Sequence, residues 1–91
     1  MPETIKLIVE GKVQGVFYRH STKEKATELG ITGTVRNLKN GNVEIIATGT
    51  AEQLAQLTQW CYHGPPHAIV NNISSTPLSL QTFNNFIIIR F

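Results

Sequence analysis

Aspartate is absent from this chain of 91 residues, and all six acidic residues are glutamates. The sequence therefore has no aspartyl nucleophile, no aspartate for a Ser-His-Asp triad and no aspartate cluster of the kind that holds magnesium. The eight lysines and arginines are scattered along the chain, and the net charge is only +2. Because a nucleic-acid-binding module usually presents a clustered basic surface, we expect no nucleic-acid partner.

Cysteine is nearly absent as well. The single cysteine, Cys61, cannot form an internal disulfide, which is compatible with a reducing compartment. It falls at helical spacing from Leu54 and Leu57, so we expect a packed thiol. A nucleophilic thiol is disfavoured because no basic group on the same helix is placed to lower its pKa.

Long apolar runs are also missing. No run approaches the roughly 18 residues of a membrane span, and residues 1–6 lack the apolar core of a signal peptide. We therefore expect a cytoplasmic protein with no membrane contact. The length predicts one domain, residues 1–91, and we expect it to be a monomer.

Apolar periodicity and turn signals predict the order strand, helix, strand, strand, helix, strand, strand. The predicted strands cover about residues 5–10, 34–38, 42–48, 68–74 and 83–90, and the predicted helices cover about 22–29 and 50–63. The Asn40-Gly41 turn makes the second and third strands antiparallel neighbours. Two β-α-β units sharing an antiparallel sheet, with both helices on one face and a further C-terminal strand, give a ferredoxin-like α+β sandwich.

Capping boxes mark both predicted helix starts, since each pairs a Ser or Thr with a Glu or Gln three residues later. The first box is Ser21-x-x-Glu24, and the second is Thr50-x-x-Gln53. Gly30 is expected to end the first helix.

The segment that joins the first strand to the first helix reads Gly11-Lys12-Val13-Gln14-Gly15-Val16-Phe17-Tyr18-Arg19. Exposed loop amides, a helix N-terminus and an arginine fork together favour a tetrahedral oxyanion such as phosphate. The segment matches neither the P-loop nor the dinucleotide-binding fingerprint. By itself it is equally compatible with an ordinary strand-loop-helix joint that carries a basic residue.

A second cluster, Gly30-x-x-Gly33-x-Val35-x-Asn37-x-x-x-Gly41-x-Val43, makes the pattern specific. With Gly11-x-Val13-Gln14-Gly15-Val16-x-Tyr18-Arg19, Gly64-Pro65-Pro66-x-Ala68-x-Val70 and the final Phe86-Ile87-Ile88-Ile89-Arg90, it resembles the acylphosphatase family over nearly the whole chain. The resemblance implies two catalytic residues, Arg19 and Asn37, the second of which positions the attacking water. The phosphate-binding residues that it implies are Gly15, Val16, Phe17, Tyr18 and Arg19. Tyr18 departs from the family's more frequent phenylalanine, and its ring fits if the hydroxyl finds a partner.

The reaction that the resemblance implies is hydrolysis of an acyl phosphate to a carboxylate and inorganic phosphate. A carboxylate with a pKa of about 4 leaves unprotonated at neutral pH, so no general acid is needed. Electrostatic stabilisation and alignment of water remain, and neither requires a metal or another cofactor. A small acyl phosphate is the expected partner, but the acyl portion is left open.

One alternative is a non-catalytic module of the same fold that binds a phosphate ligand or RNA. An RNA-binding module would carry exposed aromatic residues on its central strands, and residues 42–47 contain none.

The three histidines suggest no metal site. The spacing Cys61-x-His63-x-x-x-His67 matches no zinc signature, so both histidines are expected to lie in solvent. His20 is expected to cover the first turn of the first helix.

Overall fold

A computed structural model describes residues 1–90 and places them in five strands and two helices. The elements are β1 (Glu3–Lys12), α1 (Tyr18–Leu29), β2 (Thr32–Asn37), β3 (Val43–Gly49), α2 (Ala51–His63), β4 (Ile69–Leu78) and β5 (Phe86–Ile89). They form one sheet in the order β4-β1-β3-β2-β5, which confirms the predicted ferredoxin-like α+β fold. No helix in the described part of the chain is long and apolar enough to cross a membrane.

The sheet is mixed, which corrects the expectation of a wholly antiparallel one. β1 pairs antiparallel with β3 and β4, and β2 pairs antiparallel with β3, but β5 runs parallel to β2. The connection after β4 explains this direction. Gln81 bonds to Thr4 at the start of β1 and to Thr48 near the end of β3, so the chain crosses the sheet at that end before β5 begins.

Both helices cover the same face of the sheet. α1 packs against β2 and β5, α2 packs against β1, β3 and β4, and the helices contact each other. Alternate strand residues on this face are buried, as strand periodicity requires. The most buried of them are Leu7, Val9, Val35, Val43, Ile45 and Ala47. The predicted inward face of α2, which consists of Leu54, Leu57 and Cys61, is buried and is therefore confirmed.

The predicted start of the first helix is wrong. α1 begins at Tyr18, with Phe17 as an N-cap that has no side-chain hydrogen bond, and the amide of Ser21 donates to Phe17 O at 3.0 Å. Starting there places Tyr18, Thr22 and Ala26 in one buried stripe, so burial of the Tyr18 ring prevails over the local capping signal. Ser21 is inside the helix and caps nothing.

The second capping box is confirmed. The amide of Gln53 donates to Thr50 Oγ1 at 3.2 Å, and the amide of Thr50 donates to Gln53 Oε1 at 2.8 Å. Gly30 ends α1 in the left-handed conformation, as predicted.

The last two strands differ in length from the prediction. β4 extends to Leu78 because it pairs along nearly the whole of β1. It tolerates Pro77 because it is an edge strand. β5 is shorter than predicted and begins at Phe86.

Candidate active site

The segments that carry the sequence motifs meet at one end of the sheet. β1 ends there, α1 begins there, and β2 also ends there at Asn37. Since β5 runs parallel to β2, its C-terminal end also lies at this end of the sheet. A cavity of about 470 Å³ lies at this place and is lined by Val13, Gly15, Phe17, Tyr18, Arg19, His20, Asn37, Ile88 and Arg90. The structure thus brings both predicted catalytic residues into one cavity.

Residues 15–19, which comprise the end of the turn after β1 and the first two residues of α1, are called the β1–α1 segment below. Gly15 and Phe17 have φ angles of 75° and 64°, and Val16 between them does not have a positive φ. Alternation of this kind turns successive N–H groups toward one side, which creates a concavity that suits an anion.

The amides of this turn are free to bind a ligand. Within residues 1–90, no backbone or side-chain acceptor pairs with the N–H groups of residues 15–20. The first N–H groups of any α-helix lack an intrahelical partner, and Phe17 supplies no cap. The positive end of the helix dipole adds to their attraction for an anion.

Arg19 lies in the first turn of α1, not in the preceding loop as the sequence suggested. The helical backbone therefore fixes its Cα beside the unpaired amides. The ion pairs among the described residues join His20 to Glu24, Lys25 to Glu28 and Arg36 to Glu44, so none of them uses Arg19. Within residues 1–90, no lining residue of the cavity is acidic. The Arg19 guanidinium is therefore available for an anionic guest.

Asn37 is the last residue of β2, as predicted. It lies on the helix-covered face by alternation with Gly33 and Val35. Its Oδ1 is buried and has no hydrogen-bond partner within residues 1–90. Leaving a buried acceptor unpaired costs about 1–3 kcal/mol, so such an atom calls for an explanation. A water molecule held in the cavity would supply the missing donor.

Gln14 ties the loop to the strand that carries Asn37. Its Nε2 donates to Leu38 O at 2.8 Å and to Asn42 O at 2.9 Å, and these carbonyls flank the β2–β3 turn. Gln14 belongs to the sequence motif, but no role was predicted for it. Its position one residue before Gly15 was the available signal, and its partners, 24 and 28 residues away, were not visible in the sequence.

Two further lining residues, Ile88 in β5 and Arg90 just after it, were not predicted from the sequence to belong to the site. Phe86, Ile88 and Arg90 alternate on one face, and this face lies toward α1. Ile88 and Arg90 reach the cavity for this reason. Val16 does not line the cavity, and its side chain packs against the core.

The Tyr18 hydroxyl has the hydrogen-bond partner that its ring needs in order to fit in place of phenylalanine. Its hydroxyl donates to Cys61 O at 2.6 Å, and its side chain is buried. Burial, and to a lesser extent the neighbouring Cys61, raises the pKa of Tyr18 well above its ordinary value. Burial also raises the pKa of the Cys61 thiol to about 12, although its hydrogen bond with Tyr18 lowers it in part. Cys61 is thus a neutral packed thiol, as predicted.

The histidines lie as expected from the sequence. His63 and His67 are exposed, and His20 is exposed on the first turn of α1 with its Nε2 at 3.6 Å from Glu24 Oε1. Among residues 1–90, no three metal-ligating side chains form a group.

Comparison with known proteins identifies the family. A sequence model of the acylphosphatase family matches residues 5–88. An acylphosphatase of Marinobacter nauticus is 52% identical over 81 residues, which span 88% of each chain. The structure of an acylphosphatase from Coxiella burnetii is similar, with a TM-score of 0.93 and 40% identity over 96% of this chain and 92% of that one. The crystal structure of acylphosphatase from Bacillus subtilis gives the same TM-score at 33% identity, and it covers 98% of this chain and 99% of the other. The chain belongs to the acylphosphatase family.

Proposed function

We propose that this protein hydrolyses the carboxyl-phosphate bond of a small acyl phosphate and releases a carboxylate and inorganic phosphate. Family membership supports the reaction. One observation carries its assignment to this cavity. Arg19, Asn37 with its Oδ1 unpaired within residues 1–90, and the β1–α1 segment with its unpaired amides at Gly15, Phe17 and Tyr18 all line the same space.

In this proposal the phosphoryl group sits against the amides of Gly15, Val16, Phe17, Tyr18 and Arg19. The planar fork of Arg19 donates two aligned hydrogen bonds to phosphoryl oxygens. These donors are fixed before the substrate arrives, so they stabilise charge on the equatorial oxygens without reorganisation.

Asn37 holds the attacking water. Its Oδ1 accepts a hydrogen bond from the water and thereby turns a lone pair of the water oxygen toward phosphorus. An amide is too weak a base to take the proton, which passes instead to a phosphoryl oxygen of the substrate. The carboxylate departs without protonation because its pKa is about 4.

The reaction uses no metal or other cofactor in this proposal. The cationic groups of the chain itself neutralise the phosphoryl charge. No lining residue within residues 1–90 offers a carboxylate to a divalent cation, and carboxylates are the side chains that magnesium usually requires.

We further propose that residues 1–91 act as a single-domain monomer in the cytoplasm, without nucleic acid or a membrane. The free thiol of Cys61 suits a reducing compartment, and the scattered basic residues suit a small anionic substrate better than a nucleic acid.

The test is release of inorganic phosphate from acetyl phosphate by the purified protein, with Arg19→Lys and Arg19→Ala as variants. Lysine cannot reproduce the guanidinium fork, so we expect Arg19→Lys to lose most of the activity and Arg19→Ala nearly all of it. Arg36→Lys is the matched control, because Arg36 pairs with Glu44 outside the cavity.

Retention of more than about a tenth of wild-type turnover in Arg19→Ala, a barrier change below roughly 1.4 kcal/mol, would remove Arg19 from this role. Phosphate binding without any turnover by the wild type would favour the non-catalytic alternative.

A further inference from the structure

Phe17 departs from ordinary protein structure in two ways. It is the one non-glycine residue with a positive φ within residues 1–90, and its side chain is 79% exposed. The other positive φ angles in that part of the chain belong to glycines. A bulky residue in the left-handed conformation is strained, and glycine would adopt it at lower cost.

Folding accounts for the backbone of Phe17 but not for its ring. The positive φ helps to turn the loop amides inward and starts α1. The adjacent residues supply the packing, since Val16 contacts the core and Tyr18 is buried. The Phe17 ring lies in solvent at the cavity, where a glycine would leave the same backbone less strained. A ring kept at such a position points to a role in binding.

The cavity is lined by both polar and apolar side chains. Arg19, His20, Asn37 and Arg90 are polar, and Val13, Phe17 and Ile88 are apolar. In the proposed reaction the phosphoryl group contacts Arg19 and the water held by Asn37. The acyl group of the same substrate is left to contact the apolar residues, of which Phe17 has the most free surface.

We propose that the Phe17 ring is the binding surface for the acyl group and that it selects acyl phosphates with a flat, apolar acyl portion, such as an aromatic acid, over acetyl phosphate. This inference rests on the proposed function. An aromatic acyl group can stack in an offset arrangement on the exposed ring and remove apolar surface from water, whereas an acetyl methyl group covers little of it. Phe17 thus contacts the substrate at two places, with its amide at the phosphoryl group and its ring at the acyl group.

The experiment compares kcat/KM for benzoyl phosphate and acetyl phosphate. In Phe17→Ala the ratio of the two values should fall roughly fivefold to tenfold, which is the scale of one aromatic pair. Phe17→Gly should show the same fall together with a higher thermal midpoint than Phe17→Ala, because glycine relieves the positive φ. Tyr62→Ala is the control, since Tyr62 is an exposed aromatic residue outside the cavity and its loss should leave the ratio unchanged.

Two results would overturn the inference. An equal loss for both substrates in Phe17→Ala would mean that the ring only shapes the loop, and an unchanged ratio with unchanged rates would mean that the ring is idle.

Binding measurements separate this inference from the proposed function. Benzoylphosphonate and acetylphosphonate carry phosphorus directly on the carbonyl carbon, so their affinities can be measured by calorimetry without turnover. If the wild type hydrolyses neither acyl phosphate, the proposed function fails. A preference for benzoylphosphonate that is lost in Phe17→Ala would still support the role of the ring, and equal affinities in the wild type would refute it.

Discussion

Replacing Asn37 by alanine should separate the chemistry from folding. The Oδ1 of Asn37 is buried and has no partner within residues 1–90, and in the proposed mechanism the attacking water is its hydrogen-bond donor. Alanine therefore removes no protein hydrogen bond to this oxygen and gives up the packing of a short side chain, about 0.8 kcal/mol per buried methylene equivalent. The expected loss in the free energy of unfolding is about 1 kcal/mol. For a domain of this size, a loss of that magnitude lowers Tm by about 4–8 °C.

The catalytic effect of the same substitution is larger than its effect on stability. Without Asn37 the attacking water loses its orienting acceptor, so kcat should fall by about 100-fold or more, the scale seen when a positioned group is deleted. A 100-fold loss corresponds to a barrier increase of about 2.7 kcal/mol. Inorganic phosphate should bind nearly as before, because its proposed ligands are Arg19 and the loop amides.

Three measurements on the folded variant distinguish a water-positioning role of Asn37 from a phosphate-binding or structural one: kcat with acetyl phosphate, inhibition by inorganic phosphate, and Tm. Asn42→Ala is the matched control, since it removes an asparagine side chain from the adjacent hairpin outside the cavity. Near-normal kcat in Asn37→Ala would refute the water-positioning role. Lost phosphate binding would assign Asn37 to the phosphate site, and a Tm lower by clearly more than about 8 °C would show that Asn37 is a structural residue.

Four further outcomes are expected. Gln14→Leu should lower the free energy of unfolding by about 1–2 kcal/mol and should also lower kcat. The loss of stability is no larger because each freed carbonyl keeps one other partner, since Gly41 N donates to Leu38 O and Leu38 N donates to Asn42 O. An unchanged Tm and kcat would contradict this. Cys61, with its pKa raised from 9.0 to about 12 by burial, should react slowly with a disulfide reagent until the protein unfolds. Stability should fall as pH rises above about 9, since only the unfolded thiol ionises there. Above the ordinary pKa of tyrosine, about 10, the buried Tyr18 adds a loss of the same sign, so Cys61→Ala should lack only the part that begins near pH 9. Activity should survive dialysis against EDTA and change little with magnesium, whereas rescue by one specific ion would show a metal requirement.

Local signals in the sequence predicted the parts of the fold that depend on near neighbours. The Asn40-Gly41 turn predicted the β2–β3 hairpin, and the Thr50–Gln53 capping box predicted the start of α2. In both cases the interacting groups are a few residues apart, so the sequence displays them together.

The sequence did not predict features that depend on contacts between distant segments. Ser21 offered a good capping box, but burial of the Tyr18 ring starts α1 earlier. The parallel direction of β5 follows from a connection that crosses the sheet end, and that direction brings Arg90 to the cavity. The bonds of Gln14 span 24 and 28 residues, so no local pattern announces them.

The location of the active site can also be argued from energetics without any relative. A chain that specifies one fold usually satisfies its local rules, and the exceptions tend to lie where function requires them. Buried hydroxyl groups elsewhere follow this rule, as Thr22 Oγ1 donates to Tyr18 O at 2.7 Å. Within residues 1–90, the strained non-glycine residue is Phe17 and the unpaired buried side-chain atom is Oδ1 of Asn37. They come from different elements and violate different rules, and yet both line the same cavity. A bound substrate with its water would contact both, so the two local costs have a common explanation there.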